Sequence, residues 1–264
     1  MKLGFIGCGN MAKAMLGGAL KQGVVTAEDV YVSTATQSSL EKTTAEYKVK
    51  GSLDNLVVAD YADVLVLAVK PYLYESVIAQ IRSHISENQL IISIAPGKTL
   101  AWLQEQFQGN KKIIRTMPNT PALVGEGMTG VCYNELVTEE DMTLAGRLFD
   151  SFGKYQIVAE HLMDAVVSVS GSSPAYVFMF IEAMADAAVS DGLPRAQAYE
   201  FAAQAVLGSA KMVLETGKHP GELKDMVCSP AGTTIEAVRV LEEKGFRSSV
   251  IEAMKACTAK TKGV

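Results

Sequence analysis

The feature that most restricts the fold lies at the start of the chain. A short apolar run, Leu3–Ile6, leads straight into Gly7-Cys8-Gly9-Asn10-Met11-Ala12, a G-x-G-x-x-A string. A strand that ends this way turns sharply into a helix. The first glycine permits the tight turn, the second lets backbone approach a ligand with no side chain between, and the small Ala12 lets helix and strand pack closely. The helix start presents free N–H groups and a partial positive charge, which suit a pyrophosphate. Gly7, Gly9, Asn10, Met11 and Ala12 are therefore candidate cofactor-binding residues, and a helix is expected over 10–22, closed by Gly23. Taken alone, the string also fits a plain glycine turn between a strand and a helix, so the flanking pattern decides.

That pattern alternates. Val30–Ser33 reads as a second strand, and 64–69 and 90–94 are continuous apolar runs of the kind buried on both faces of a parallel sheet. Lys112–Met117 follows, and 129–133 and 155–158 add strands at one edge. Helical patterns lie between, as at 72–82 and Leu100–Phe107. Repeated strand–helix–strand implies a doubly wound parallel sheet with helices on both faces, an α/β Rossmann-type fold. After about residue 158 the texture changes to alanine- and methionine-rich helical stretches over 161–190, 195–215 and 248–260, separated by Gly192-Leu193-Pro194 and by the segment from Gly217 to Pro220. Two domains are expected, 1–158 and 159–264, the second all helix. Val177-Phe178-Met179-Phe180-Ile181 has no polar side, and a helix apolar all round must be buried. A small helical domain has little interior for it, so packing against a second copy of the chain is expected.

Composition excludes several classes. A net charge of -5 with scattered Lys and Arg argues against a nucleic-acid partner. No uninterrupted apolar run reaches the ~18 residues of a membrane span, and the N-terminus has no signal-peptide pattern, so a cytoplasmic protein is expected. The 4 cysteines are far apart and the 3 histidines lack ligand spacing, which implies neither a metal site nor a disulfide frame.

The second strand bears on the choice of cofactor. An NAD site usually carries an acid at this strand's end, for the ribose 2′-hydroxyl. Here the run is Val32-Ser33-Thr34-Ala35-Thr36 and the next acid is Glu41. Hydroxyls without an acid favour NADP (NADPH) over NAD, with neutral hydrogen bonds in place of the usual arginine. NAD stays open as the alternative.

Several strings then share one source: Ala68-Val69-Lys70-Pro71, Met117-Pro118-Asn119-Thr120-Pro121, Ser170-Gly171-Ser172-Ser173-Pro174, Asp191-Gly192-Leu193-Pro194, His219-Pro220-Gly221 and Ser229-Pro230-Ala231-Gly232-Thr233-Thr234-Ile235. With the glycine string, and in this order over nearly the whole chain, they resemble pyrroline-5-carboxylate reductase. The resemblance implies NADPH-dependent reduction of a cyclic imine to L-proline, the last step of proline biosynthesis. It implies that Thr34 and Asn55, with Ser33 adjacent, lie at the 2′-phosphate. Ala68, Lys70, Pro71 and Asn119 would lie toward the nicotinamide half. It implies a substrate carboxylate held in 229–234 by Ser229, Gly232, Thr233 and Thr234, with Thr234 on the ring nitrogen as the catalytic candidate. It also implies an interlocked helical homodimer, with assembly into higher homo-oligomers left open.

Residue chemistry agrees with that site. A Gly-flanked turn at a helix start offers clustered N–H donors to a carboxylate, and an imine is basic enough to bring its own proton, so no strong protein acid is required. The plainer reading of 229–234 is a helix N-cap by Ser and Thr; that of Asn119 is a turn asparagine between prolines. The β-hydroxyacid dehydrogenases share the layout but use a catalytic lysine in the interdomain helix, and no lysine occurs here between Lys154 and Lys211. A reductase of a different cyclic imine and a non-catalytic NADP-binding sensor remain alternatives.

Overall fold

The computed structural model describes residues 1–263. The chain runs β1 (Leu3–Ile6), α1 (Asn10–Lys21), β2 (Val30–Ser33), α2 (Gln37–Tyr47), β3 (Lys50–Ser52), α3 (Asn55–Tyr61), β4 (Val64–Leu67), α4 (Tyr74–Ile81), β5 (Leu90–Ser93), α5 (Leu100–Phe107), β6 (Lys112–Met117), β7 (Gly127–Tyr133), α6 (Glu139–Asp150) and β8 (Gly153–Ile157). It continues through α7 (Met163–Val166), α8 (Ser173–Ser190), α9 (Arg195–Thr216), α10 (Pro220–Val227), α11 (Thr233–Glu243) and α12 (Phe246–Thr261). The expected Rossmann sheet is present, in the order β3-β2-β1-β4-β5-β6-β7-β8. All neighbours are parallel except β6 and β7.

The sheet forms because its central strands are apolar on both faces. Leu3 and Phe5 of β1, Val64 and Val66 of β4, and Leu90 and Ile92 of β5 point to one side, into a cluster with Met15, Leu16 and Phe149. Ile6, Leu65, Leu67 and Ile91 point to the other side, into a cluster with Ile78, Leu103 and Phe107. Alternate residues of a strand face opposite sides, so a continuous apolar run needs cover on both. Each such side chain, fully buried, contributes about 1.5–3 kcal/mol.

The described residues form two compact units, one of Met1–Ser172 with Cys257 onward, the other of Ser173–Ala256. The seam in the packing thus falls after Ser172, later than the expected 158. Residues 159–172 belong to the sheet-bearing unit because Met163 and Val167 are buried in its core and Glu160 accepts from the buried Arg115 at 2.9 Å. The helix expected over 161–190 is also interrupted. Val167–Gly171 is a π-helical turn, in which the Ser172 N–H donates to the Val167 carbonyl at 2.8 Å; such wide turns insert a residue into an α-helix without ending it. The chain returns to the first unit at its far end, where Cys257 packs against the sheet-side cluster and its Sγ lies 3.3 Å from the Ser172 hydroxyl.

The second unit is helical throughout. Of α8 only Ala185 is buried, while Phe178 and Met179 are 63% and 69% exposed. The stretch Glu160–Ser190 is long and apolar enough to cross a membrane by length and composition alone.

Candidate active site

In an open α/β sheet, ligands bind beyond the carboxyl ends of the strands, where the strand order reverses. Here that point lies between β1 and β4, since the chain passes from β1 to β2 and β3 on one side and returns to β4 on the other. The G-x-G-x-x-A loop sits at this point. Gly7 has φ +85, and a Cβ there would lie 2.9 Å from the Ala68 carbonyl. Its N–H donates to the Ser33 carbonyl at 3.0 Å, tying the loop to the end of β2. Gly9 is the N-cap of α1 and makes no side-chain cap; a Cβ built on it meets nothing within 4 Å. The first helical bond runs from Lys13 N–H to the Gly9 carbonyl at 2.9 Å, which leaves the N–H groups of Asn10, Met11 and Ala12 without a partner among the described residues. Ala12 is buried against the sheet. An open cradle with unpaired donors fits a pyrophosphate. Burial of Cys8 pushes its thiol up, the reverse of what a reactive cysteine needs.

At the end of β2 the polar side chains are already engaged with one another. Ser33 is fully buried, and its hydroxyl donates to Asn55 Oδ1 at 2.7 Å. Asn55 Nδ2 in turn donates to Gln80 Oε1 at 2.9 Å. The Thr34 hydroxyl donates to the Thr36 carbonyl at 3.1 Å, and Thr36 caps α2 by accepting from Ser39 N–H. Ser33 and Asn55 are thus hydrogen-bonded to one another, with Gln80 of α4 added to the pair. Nothing in the sequence around Gln80 signals this, because the contact joins elements distant in the chain.

The end of β4 is held by Tyr74, whose hydroxyl donates to the Leu67 carbonyl at 2.5 Å. Burial pushes that phenol up to about 12. Beyond it, Ala68 and Pro71 are half-buried, and Lys70 is exposed with no ion pair among the described residues. Asn119 is 8% exposed. Its Nδ2 donates to the Ser170 carbonyl at 3.1 Å and its Oδ1 accepts from Met128 N–H at 2.8 Å, so this carboxamide is used to join the start of β7 to the π-turn.

In the helical unit, the plain capping reading of 229–234 fails. The N-cap of α11 is Gly232, and no side chain caps the helix. The hydroxyls of Ser229, Thr233 and Thr234 make no hydrogen bond among the described residues. A turn closed by Gly232 N–H to the Ser229 carbonyl at 3.0 Å brings Ser229 beside the helix start, so that a Cβ on Gly232 would meet the Ser229 hydroxyl. The preceding residue, Ala231, holds φ 57, a left-handed conformation that L-residues rarely adopt outside constrained sites. The result is a bare helix start with three unengaged hydroxyls around it, which suits a carboxylate. Among the described residues no group of His, Cys, Asp and Glu is placed to hold a metal ion.

Comparison with known proteins gives a consistent picture. The family description "Pyrroline-5-carboxylate reductase dimerisation" matches residues 160–264, and "NADP oxidoreductase coenzyme F420-dependent" matches residues 2–97. The pyrroline-5-carboxylate reductase of Escherichia coli (strain K12) is 55% identical over 98% of this chain and 97% of its own length. That of Methanosarcina acetivorans is 43% identical over 99% and 97%. The crystal structure of Plasmodium falciparum pyrroline carboxylate reductase with NADP bound superposes with a TM-score of 0.92 at 33% identity, covering 100% of this chain and 97% of that one.

Proposed function

The chain belongs to the pyrroline-5-carboxylate reductase family, and we propose that it reduces the C=N bond of L-1-pyrroline-5-carboxylate with NADPH to give L-proline. The observation that carries this reading is the uncapped start of α11, with the hydroxyls of Ser229, Thr233 and Thr234 unengaged, in the same chain as an open glycine cradle at the head of α1. A side-chain cap would have taken up N–H donors of the helix start; left free, they and the hydroxyls can serve a carboxylate.

In this reading Gly7, Gly9 and the N–H groups of Asn10, Met11 and Ala12 hold the pyrophosphate. Ser33, Thr34 and Asn55 surround the ribose 2′-phosphate, and Ala68, Lys70, Pro71 and Asn119 frame the nicotinamide half. NADPH, when bound, supplies the hydride for the imine carbon. Ser229, the Gly232 turn and Thr233 bind the substrate carboxylate and so fix the ring. Thr234 holds the ring nitrogen, whose proton comes with the protonated imine and stays on the product amine, so the chain needs no strong acid. Its task is alignment.

The exposed apolar faces of α8 and α9 belong to the stretch matched by the dimerisation description. The proposal makes them a homodimer interface, from which higher homo-oligomers can be built, and assigns the long apolar stretch to protein contact instead of a bilayer. Four free cysteines suit a reducing cytoplasm. The test is loss of NADPH absorbance on mixing with pyrroline-5-carboxylate, repeated with NADH, with proline measured as product. Imine-dependent oxidation that is faster with NADPH is the expected result. A folded protein that binds NADPH but does not oxidise it in the presence of the imine would refute the assignment.

A further inference from the structure

A phosphate dianion accepts hydrogen bonds and cannot donate them, so the 2′-phosphate of NADPH must find protons. At the end of β2 the obvious hydroxyls have none to give. Ser33 carries a single hydroxyl proton, and it goes to Asn55 Oδ1 at 2.7 Å. The proton of Thr34 goes to the Thr36 carbonyl at 3.1 Å. The carboxamide of Asn55 differs, because its nitrogen carries two protons. One goes to Gln80 Oε1 at 2.9 Å, and the other has no partner among the described residues. Ser33 holds the oxygen end of this amide and Gln80 holds the nitrogen end, so its orientation is fixed from both sides. Gln80 is exposed, but its helix is anchored by Ile78 and Ile81, both fully buried.

Resting on the NADPH reading above, we propose that Gln80 is a positioning residue for cofactor choice: by accepting one Asn55 amide proton, it aims the other at the 2′-phosphate. Gln80 itself touches no cofactor atom in this scheme. The hydroxyls of Ser33 and Thr34, their protons given to protein oxygens, act as spacers, and the donor is the amide.

The test is Gln80→Leu in the full-length protein, a surface change that keeps the helix-forming character of the position. Dissociation constants for NADPH and NADH are measured by fluorescence titration, and KM and kcat for each by absorbance. NADPH binding should weaken about fivefold, the scale of one lost hydrogen bond. NADH binding should change less than about twofold and kcat should stay constant, since neither depends on this bond. In an Asn55→Ala background, Gln80→Leu should then have no further effect on NADPH, because its influence runs through Asn55. Three results would overturn the idea: an unchanged NADPH preference, equal weakening with both cofactors, or the same loss in the absence of Asn55. A wild-type protein that binds NADPH and NADH equally well would instead refute the NADPH reading, and the inference with it.

Discussion

The two glycines of the N-terminal loop do different jobs, and a single added methyl group separates them. At Gly7 an alanine Cβ would stand 2.9 Å from the Ala68 carbonyl carbon and oxygen and 2.9 Å from Val69 Cγ1, with φ at +85. The backbone atoms of Ala68 cannot move aside, because Ala68 N–H is tied to the Ile6 carbonyl at 2.8 Å. The left-handed conformation costs an L-residue roughly 1–2 kcal/mol, and overpacking adds roughly 1–3 kcal/mol. Gly7→Ala should therefore lower Tm by roughly 5–15 °C, and cofactor binding should fall with it. At Gly9 nothing lies within 4 Å of the added Cβ, and φ -80 with ψ -172 is open to any residue. The fold should lose about 0.5–1 kcal/mol through the poorer N-cap, or roughly 1–4 °C. Yet this is the point where the pyrophosphate must approach backbone, so the NADPH dissociation constant should rise at least about tenfold, or ~1.4 kcal/mol. Thermal unfolding and fluorescence titration on the two variants separate the effects. A Gly9→Ala protein with wild-type NADPH affinity would refute the reasoning, as would one that melts as early as Gly7→Ala.

Three further expectations follow from the same geometry. Thr234→Ala should lower kcat about 10–100-fold by releasing the ring nitrogen, with NADPH affinity unchanged by titration; full turnover in that variant removes Thr234 from the mechanism. Burial pushes the Asp141 carboxyl up, but hydrogen bonds from Lys112 and Thr138 outweigh it and hold the group below its ordinary value. Because the folded-state value is depressed, Asp141 adds stability at neutral pH that is lost as pH falls through the acid range below ~4. Asp141→Ala should cost about 1 kcal/mol at pH 7 and flatten that acid limb of a Tm–pH profile. Finally, Phe178→Glu puts a charge in the exposed apolar face of α8 and should yield monomers by sedimentation while the far-ultraviolet spectrum stays helical; an unchanged oligomer would place the interface elsewhere.

The parts of the fold that are legible in sequence are those whose stability is local or whose burial is two-sided. Leu3–Ile6, Val64–Leu67 and Leu90–Ser93 read as strands because every side chain in them must be covered. β3 does not: Lys50-Gly51-Ser52 has no strand character, and it pairs only because β2 offers an open edge. The π-turn at Val167–Gly171 leaves no composition signal, since a single shifted backbone bond creates it. The backbone geometry of the glycine loop is legible at Gly7 and Gly9, because it follows from the absence of Cβ atoms. Side-chain roles are less so. Ser33 and Asn119 spend protons on partners far along the chain, Asn55 and Ser170, and Thr34 spends its own on the Thr36 carbonyl two residues on. The apparent Ser/Thr cap of α11 proved to be Gly232, a distinction set by backbone angles that composition does not encode.

The return of the chain from α12 to the sheet-bearing unit bears on the order of biosynthesis. Residues 257–263 are made after the whole of Ser173–Ala256, yet they belong to the unit that contains β1, made before it. Domains generally fold as units, N-terminal ones ahead during synthesis. Here the sheet can assemble early, but the surface that Cys257 covers waits uncovered until the whole helical segment Ser173–Ala256 has been made. A nascent chain paused before α12 would carry a nearly finished nucleotide-binding unit with an exposed apolar seam, an opening for chaperones. It follows that a stop codon near 256 should impair the sheet-bearing unit, not only the helices beside it.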